Sequence, residues 1–98
     1  MIDDTTIYQL RPDIRFRNVG GEGVVLRQAA GEVLVLNGTG IRVLEAVNAV
    51  RPVSDIIQAL AAEYEVGPLQ LTHDVKEYLQ ELFDAQIIAE CAEATESG

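Results

Sequence analysis

Residues 32–47 have the sequence EVLVLNGTGIRVLEAV, in which a strand pattern changes to a helix pattern. The first five residues form an apolar run bounded by turn residues, which is typical of a strand buried on one face and bordered by apolar groups on the other. Beyond Gly38, apolar residues recur every three or four positions, which is the spacing of one helix face. Either Asn37 or Thr39 is suited to cap this helix. The stretch therefore predicts a strand that leads directly into a first helix.

Two more strands are predicted before this stretch. Residues 14–19, with the sequence IRFRNV, alternate between apolar and polar side chains for most of their length, as a half-buried strand does. The apolar run at residues 24–26 follows a glycine-rich turn at residues 20–23 and precedes a second turn at residues 30–31. Consecutive strands joined by short turns pair as antiparallel hairpins. The sequence therefore predicts a three-stranded antiparallel sheet.

Two more helices are predicted after it. Pro52 ends the first helix, and Ser54 is suited to cap the second. Pro68 closes the second helix, and a third helix is predicted to begin at Thr72. The apolar stripe of this third helix has the i, i+3, i+4, i+7, i+8 spacing and consists of Val75, Tyr78, Leu79, Leu82 and Phe83. Three strands followed by three helices predict an α+β fold that is winged-helix-like, with its hairpin moved to the front.

The length of 98 residues allows one domain with a modest core. Residues 1–12 lack a sustained hydrophobic period and end at Pro12, so they predict an N-terminal arm. Residues 13–89 carry the strand and helix patterns and predict the domain itself. Residues 90–98 are polar and acidic, which is typical of a disordered tail.

The net charge of −9 comes from the second part of the chain. Acids and bases balance over residues 1–42, so residues 43–98 carry the whole excess of acids. Because nucleic-acid binding depends on neutralising phosphates, this distribution argues against a nucleic-acid partner. No apolar run approaches the roughly 20 residues of a membrane-spanning helix, and no basic signal sequence opens the chain. We therefore predict a cytoplasmic protein without a membrane partner.

The sequence offers little material for catalysis. His73 is the only histidine and Cys91 the only cysteine, so neither a catalytic triad nor a cluster of metal ligands is predicted. The glycine-rich segments at residues 20–23 and 37–40 do not match a phosphate-binding loop and are predicted to be turns. We expect a protein that is not an enzyme and holds no metal or other cofactor.

Four acids share a face of the predicted third helix, away from its apolar stripe: Asp74, Glu77, Glu81 and Asp84. Such a face is either simply solvated or an acidic surface that meets basic groups on a peptide or an enzyme partner. The sequence leaves both interpretations open.

The segment LNGTGIRVLEAV at residues 36–47 resembles the signature of PqqD-like proteins, in which a strand, a Leu-Asn pair and a small-residue turn lead into a helix. PVSDIIQALAAEYEV at residues 52–66 resembles the second helix of that family, and THDVKEYLQELFDAQII at residues 72–88 resembles its third. The resemblance covers residues 12–89 and rests on three segments in the right order and at the right distances.

The resemblance implies a function. PqqD-like proteins are peptide chaperones, or recognition elements for ribosomally made and later modified peptides (RiPPs). Such a protein is expected to bind the leader of a precursor peptide and to present it to a radical SAM maturase, as in pyrroloquinoline quinone (PQQ) biosynthesis. A similar domain could serve a lasso peptide or another peptide-modifying enzyme, and a winged-helix DNA-binding protein is a further alternative. We expect a monomer rather than a dimer.

The resemblance also implies a site. In the family the leader adds as a strand beside the third strand and lies in the cleft between that strand and the third helix. The candidate peptide-binding residues are Glu32, Val33, Leu34, Val35 and Leu36 on the strand and Val75, Tyr78, Leu79 and Leu82 on the helix. The sequence does not separate groove residues from core residues on the helix. Tyr78 is expected at an edge, because its hydroxyl needs a polar partner.

Overall fold

The computed structural model describes residues 2–47 and 49–91. Its elements are, in chain order, β1 (Tyr8–Leu10), β2 (Ile14–Val19), β3 (Glu22–Arg27), β4 (Glu32–Leu36), α1 (Gly38–Ala46), α2 (Val53–Ala61), α3 (Pro68–Asp84) and β5 (Ile88–Glu90). Strands β2, β3 and β4 form one antiparallel sheet in that order, and β1 pairs with β5 in a second sheet. The predicted α+β class is confirmed, with the small two-stranded sheet as an addition.

The three-stranded sheet has an inner face toward the helices and an outer face away from them. The register places Ile14, Phe16, Gly23, Val25, Leu34 and Leu36 on the inner face. The outer face carries Arg15, Arg17, Val19, Glu22, Val24, Leu26, Val33 and Val35. Gly20 and Gly21 join β2 to β3 with φ angles of 62° and 91°, which are the left-handed values that a two-residue hairpin turn requires.

The core lies between the inner face and the three helices. Val25 of the sheet, Ile41 and Leu44 of α1, and Leu79 of α3 have no exposed surface. Gly23 brings β3 very close to α1, because a Cβ atom at this position would lie 2.6 Å from Cδ1 of Ile41. This close approach fixes the position of β3 relative to α1. Because β4 pairs with β3, it also fixes the position of β4.

The start of α2 differs from the prediction. Pro52 is its N-cap and forms no side-chain cap hydrogen bond, so the prediction that Ser54 caps this helix is wrong. The N–H groups of Val53 and Ser54 instead donate to the carbonyl oxygens of Thr6 and Asp4, at 3.0 and 2.9 Å. Backbone from the N-terminal segment thus takes the place of a cap, which no local sequence pattern reveals.

The start of α3 also differs from the prediction. Pro68 lies in the first turn of α3, after Gly67, and does not close α2. Proline is favoured there, because the first N–H groups of a helix have no partner within it. Thr72, the predicted start, lies inside the helix and its hydroxyl donates to the carbonyl oxygen of Pro68 at 2.8 Å. Within residues 2–47 and 49–91, no helix is long and apolar enough to cross a membrane.

The segment predicted to be an N-terminal arm contributes β1. Tyr8 is only 2% exposed, and its ring packs edge-to-face on Phe83 with 6.1 Å between centroids. At the other end of the chain, Glu90 lies in β5 and Cys91 is buried. Strands of three residues are too short to produce a recognisable alternation in the sequence. Residues 92–98, for which a disordered tail is predicted, lie outside the described residues.

Candidate functional site

A groove of about 320 Å³ lies between β4 and the C-terminal half of α3. Its lining consists of Leu34, Val35, Leu36 and Asn37 on the strand side and Tyr78, Glu81, Leu82, Ala85 and Ile87 on the helix side. We call this cavity the β4–α3 groove. Because β4 is an outer strand of its sheet, one side of its backbone has no neighbouring strand among residues 2–47 and 49–91. The groove therefore runs along an open sheet edge.

The hydrogen bonds of β3 determine which backbone groups are left open on β4. Just beyond the paired ends of β2 and β3, the N–H of Gln28 donates to the carbonyl oxygen of Asp13 at 2.8 Å. Hydrogen-bonded and non-hydrogen-bonded pairs alternate along an antiparallel ladder. Gln28 and Asp13 form a hydrogen-bonded pair, so Val25, three positions earlier on β3, belongs to a non-hydrogen-bonded pair with Phe16. The N–H and C=O of Val25 therefore point away from β2 and toward β4.

Leu34 is the partner of Val25 in the ladder between β3 and β4. The N–H and C=O of Leu34 therefore point back to β3. By the same alternation, the N–H and C=O groups of Val33 and Val35 point to the open edge. These four backbone groups are suited to pair with an additional extended chain.

The side chains of β4 divide between the two faces of the sheet. Leu34 and Leu36 are half-buried and face the helices, where they line the groove. Val33 and Val35 are 60% and 66% exposed and lie on the outer face. The alternation that the sequence predicts thus gives one apolar set to the groove and leaves a second apolar set on the outer face.

The predicted residues of α3 separate into core and groove. Val75 and Leu79 have no exposed surface, so we assign them to the core and omit them from the proposed peptide contacts. Tyr78 is half-buried and lines the groove together with Leu82, which is 4% exposed. Phe83 points to the opposite side of the helix, against β1.

Asn37 joins three elements at one end of the groove. Its Oδ1 accepts a hydrogen bond from the N–H of Gly40 at 2.8 Å and so caps α1. Its Nδ2 donates to the hydroxyl of Tyr78 at 2.7 Å. This contact supplies the polar partner expected for Tyr78. The position of Tyr78 in the groove therefore depends on the end of β4.

Replacing Asn37 with alanine is expected to lower the free energy of unfolding by about 1 kcal/mol, because the N-cap hydrogen bond of α1 is lost. Asn37→Ser is the matched control, since serine keeps the cap but lacks the second group that reaches Tyr78. Urea unfolding of the two variants separates these contributions. If serine destabilises the protein as much as alanine does, the cap is not the source of the stability.

Arg27 fixes the other end of the groove. Its guanidinium donates to the carbonyl oxygens of Ala85 and Gln86, at 2.6 and 3.1 Å, and thereby ties the C-terminal end of α3 to the sheet. The same side chain forms an ion pair of 3.0 Å with Glu32. Glu32, a predicted peptide-binding residue, is thus engaged within the protein. A positive charge at a helix C-terminus is also favoured by the helix dipole.

An acidic depression of about 400 Å³ adjoins the groove. Its lining consists of Asn37, Thr39, Asp74, Glu77, Tyr78 and Glu81, so it shares three residues with the groove. Of the four acids predicted to share a face of the third helix, Asp84 is the one outside this lining. The acids are therefore next to the groove and not on a remote surface.

One group of side chains has the composition of a metal site. Ligand atoms of His73, Asp74 and Glu77 lie within 4.8 Å of one another on α3. None of the three is buried, and Glu77 lies three positions after Asp74 and four after His73, a spacing at which side chains on a helix are neighbours in any case. We therefore do not assign a metal to this group.

The sequence matches the family described as coenzyme PQQ synthesis protein D (PqqD) over residues 22–88. This span contains β3, β4, the three helices and hence both walls of the groove. The chain belongs to the PqqD family. Membership of the PqqD family, whose recognition elements are non-catalytic, confirms that the protein is not an enzyme. No curated protein matches the sequence significantly.

Two solved structures have a fold similar to that of this PqqD-family chain. One, described as TbiB1 in complex with the TbiA(beta) leader peptide, has a TM-score of 0.73 at 20% identity and matches 82% of this chain and 93% of its own. The other is described as lasso peptide synthetase B1 complexed with the leader peptide. Its TM-score is 0.72 at 24% identity, with 84% of this chain and 96% of its own covered.

Several groove residues are missing from the sequence-based prediction. Glu81 and Ala85 lie three and seven positions after Tyr78, so helical spacing from Tyr78 could have identified them. Ile87 follows the helix and has no such periodic signal. Arg27 is also absent from the prediction, because its contacts with the end of α3 are nearly 60 positions away in sequence.

Proposed function

We propose that this PqqD-family protein binds the leader of a ribosomally made precursor peptide as an additional strand on β4. In this arrangement the leader pairs with the backbone of Val33 and Val35, and its alternate side chains enter the β4–α3 groove. The observation that carries the proposal is the open edge of β4 directly beside an apolar groove. The two similar structures, both described as complexes with leader peptides, support it.

The backbone and the side chains have different roles in this proposal. Each backbone hydrogen bond formed at the edge contributes about 0.5–1.5 kcal/mol whatever the sequence of the leader. Selectivity comes from the side chains that enter the groove, whose walls include Leu34, Leu36 and Leu82. We expect the leader to present aliphatic or aromatic residues at alternate positions. The acids beside the groove argue against a phosphate backbone as the ligand.

The pathway and the partner enzyme are part of the proposal. We propose that the bound leader is presented to a radical SAM maturase in PQQ biosynthesis, which the family description supports. The likeness to lasso peptide synthetase B1 supports the alternative of a lasso-peptide system. The genes beside this one distinguish the two, because each pathway requires its own precursor and its own modifying enzyme.

We also propose that the protein acts in the cytoplasm as a monomer and that residues 13–89 form its peptide-binding domain. The hydrogen bonds from Val53 and Ser54 to the N-terminal segment support extending the functional unit to include β1. A variant that lacks residues 1–12 tests this extension. It should unfold at a lower urea concentration than the full chain if β1 is part of the unit.

The test of the proposed function is a titration of nitrogen-15-labelled protein with a synthetic leader from the adjacent precursor gene, followed by NMR. The largest shifts are expected at residues 32–37 and 74–84. The amide protons of Val33 and Val35 should in addition become protected from hydrogen exchange, because the added strand provides their acceptors.

Two control ligands sharpen this titration. A scrambled leader of identical composition should give smaller shifts, because its apolar residues no longer match the groove. Duplex DNA at low salt tests the winged-helix alternative directly. The proposal is contradicted if millimolar leader leaves residues 32–37 unchanged, or if Val33 and Val35 remain unprotected in the complex.

A further inference from the structure

We infer that the outer face of the three-stranded sheet is a docking surface for the peptide-modifying enzyme, and that a bound leader enlarges it. This inference rests on the proposed function, because the leader and the enzyme come from it. The surface lies on the other side of the sheet from the β4–α3 groove, and the two meet at Val35 on the edge strand β4.

The outer face is an apolar surface that no other described part of the chain covers. Val24 and Leu26 on β3 lie directly beside Val35 and Val33 on β4, so the four side chains form one continuous patch. Leu26, Val33 and Val35 are 36%, 60% and 66% exposed, and Val19 extends the patch at 53%. Contiguous apolar surface of this kind is typical of interaction sites, whereas single exposed residues are common.

Charge indicates what kind of surface fits the patch. Arg15 and Arg17 lie beside Leu26 and Val24 in the sheet, on the same face. The guanidinium of Arg15 donates only to the carbonyl oxygens of Pro12 and Ile14, and the side chain of Arg17 has no hydrogen bond or ion pair with any described residue. Among residues 2–47 and 49–91, Glu22 is the single carboxylate that the strand register places on this face.

This surface is therefore apolar and basic on a protein whose net charge is −9. The complementary surface is an apolar patch bordered by carboxylates on a folded protein. A second copy of the chain fits poorly, because two copies of this charge repel each other. Nucleic acid also fits poorly, because two arginines neutralise few phosphates on a chain that is acidic overall.

The leader would join this surface. A peptide paired with the edge of β4 places every second side chain on the outer face, next to Val33 and Val35. The loaded protein therefore presents a wider apolar face than the empty one. By linkage, the leader should raise the affinity of the enzyme, and the enzyme should raise the affinity of the leader by the same factor.

The test measures binding of the purified modifying enzyme encoded beside the precursor gene, by calorimetry, with and without saturating leader. Leu26→Asp places a charge at the centre of the patch, on a strand that does not pair with the leader. Arg17→Glu reverses a charge at an exposed position and should leave folding intact. Leu69→Asp is the matched control, because Leu69 is 87% exposed in the first turn of α3 and belongs neither to the sheet nor to the lining of the groove.

Leu26→Asp and Arg17→Glu are each expected to weaken enzyme binding at least about tenfold, whereas Leu69→Asp leaves it unchanged. Leader binding to the free protein should stay within about twofold for all three variants. The leader should also tighten enzyme binding by wild type. The inference is overturned if wild type does not bind the enzyme, if both outer-face variants bind as well as wild type, or if the leader has no effect on enzyme affinity.

A further outcome identifies a different occupant. If sedimentation shows a wild-type dimer that Leu26→Asp dissociates, the face belongs to a second copy, and the inference is likewise overturned. Failure of the proposed function gives a different result. In that case the free wild-type protein does not bind the leader when no enzyme is present.

Discussion

Replacing Val35 with proline is expected to lower the affinity for the leader at least about tenfold while the protein stays folded. Proline removes the N–H that points to the open edge, and its ring occupies the space that an incoming carbonyl would use. Because this N–H forms no bond with β3, the ladder between β3 and β4 stays complete. The side chain of Val35 is 66% exposed, so little packing is lost. Calorimetry with the synthetic leader measures the effect.

Val35→Ala is the control for this variant, because alanine shortens the same side chain and keeps the N–H. It should bind the leader nearly as well as wild type. Asp84→Ala, outside the lining of the groove, should also have little effect. Thermal unfolding by circular dichroism verifies that the proline variant is folded. Equal losses for proline and alanine would mean that the side chain, and not strand pairing, binds the leader.

The fold was largely predictable because its signals are local. The change of period at Asn37 predicts where β4 ends and α1 begins, and the glycines at residues 20–21 predict the hairpin. The second sheet was not predictable by the same means. Strands β1 and β5 have three residues each and lie about 80 positions apart, so neither local period nor neighbouring sequence indicates their pairing.

The helix starts show a similar limit. Ser54 has the right chemistry for a cap, but the backbone of Thr6 and Asp4 already satisfies the N–H groups at the start of α2. At α3 the pair Gly67 and Pro68 fits both the end of one helix and the start of the next. Only the three-dimensional arrangement decides between such alternatives, because the partners are distant in sequence.

The candidate site was predictable in outline and not in detail. Alternation along residues 32–36 identifies two sets of side chains, but it does not tell which set faces the helices. On α3 the apolar stripe is wider than the core needs, and burial separates Val75 and Leu79 from Tyr78. The hydrogen bond between Asn37 and Tyr78 joins residues 41 positions apart and depends on the packing of α3 against α1.

The second large effect is expected for Leu34→Lys, which should weaken leader binding by about tenfold to a hundredfold. Leu34 is half-buried and lines the groove, so its replacement removes an apolar contact and introduces an ammonium group. An apolar leader side chain that covers this charge must remove water from it, which is unfavourable. Titration of the variant with the synthetic leader, after folding has been verified, gives the magnitude.

Val33→Lys is the matched control, because it makes the same charge change one residue earlier on the same strand. Val33 lies on the outer face and is 60% exposed, so a lysine there stays in water and leaves the groove unchanged. We expect its effect on leader affinity to be much smaller than that of Leu34→Lys. If the two variants lose affinity equally, the added charge acts on the leader from a distance, and the side chains in the groove do not select it. A large difference between adjacent residues requires instead that the leader lies against one face of β4, as a strand added at its edge does.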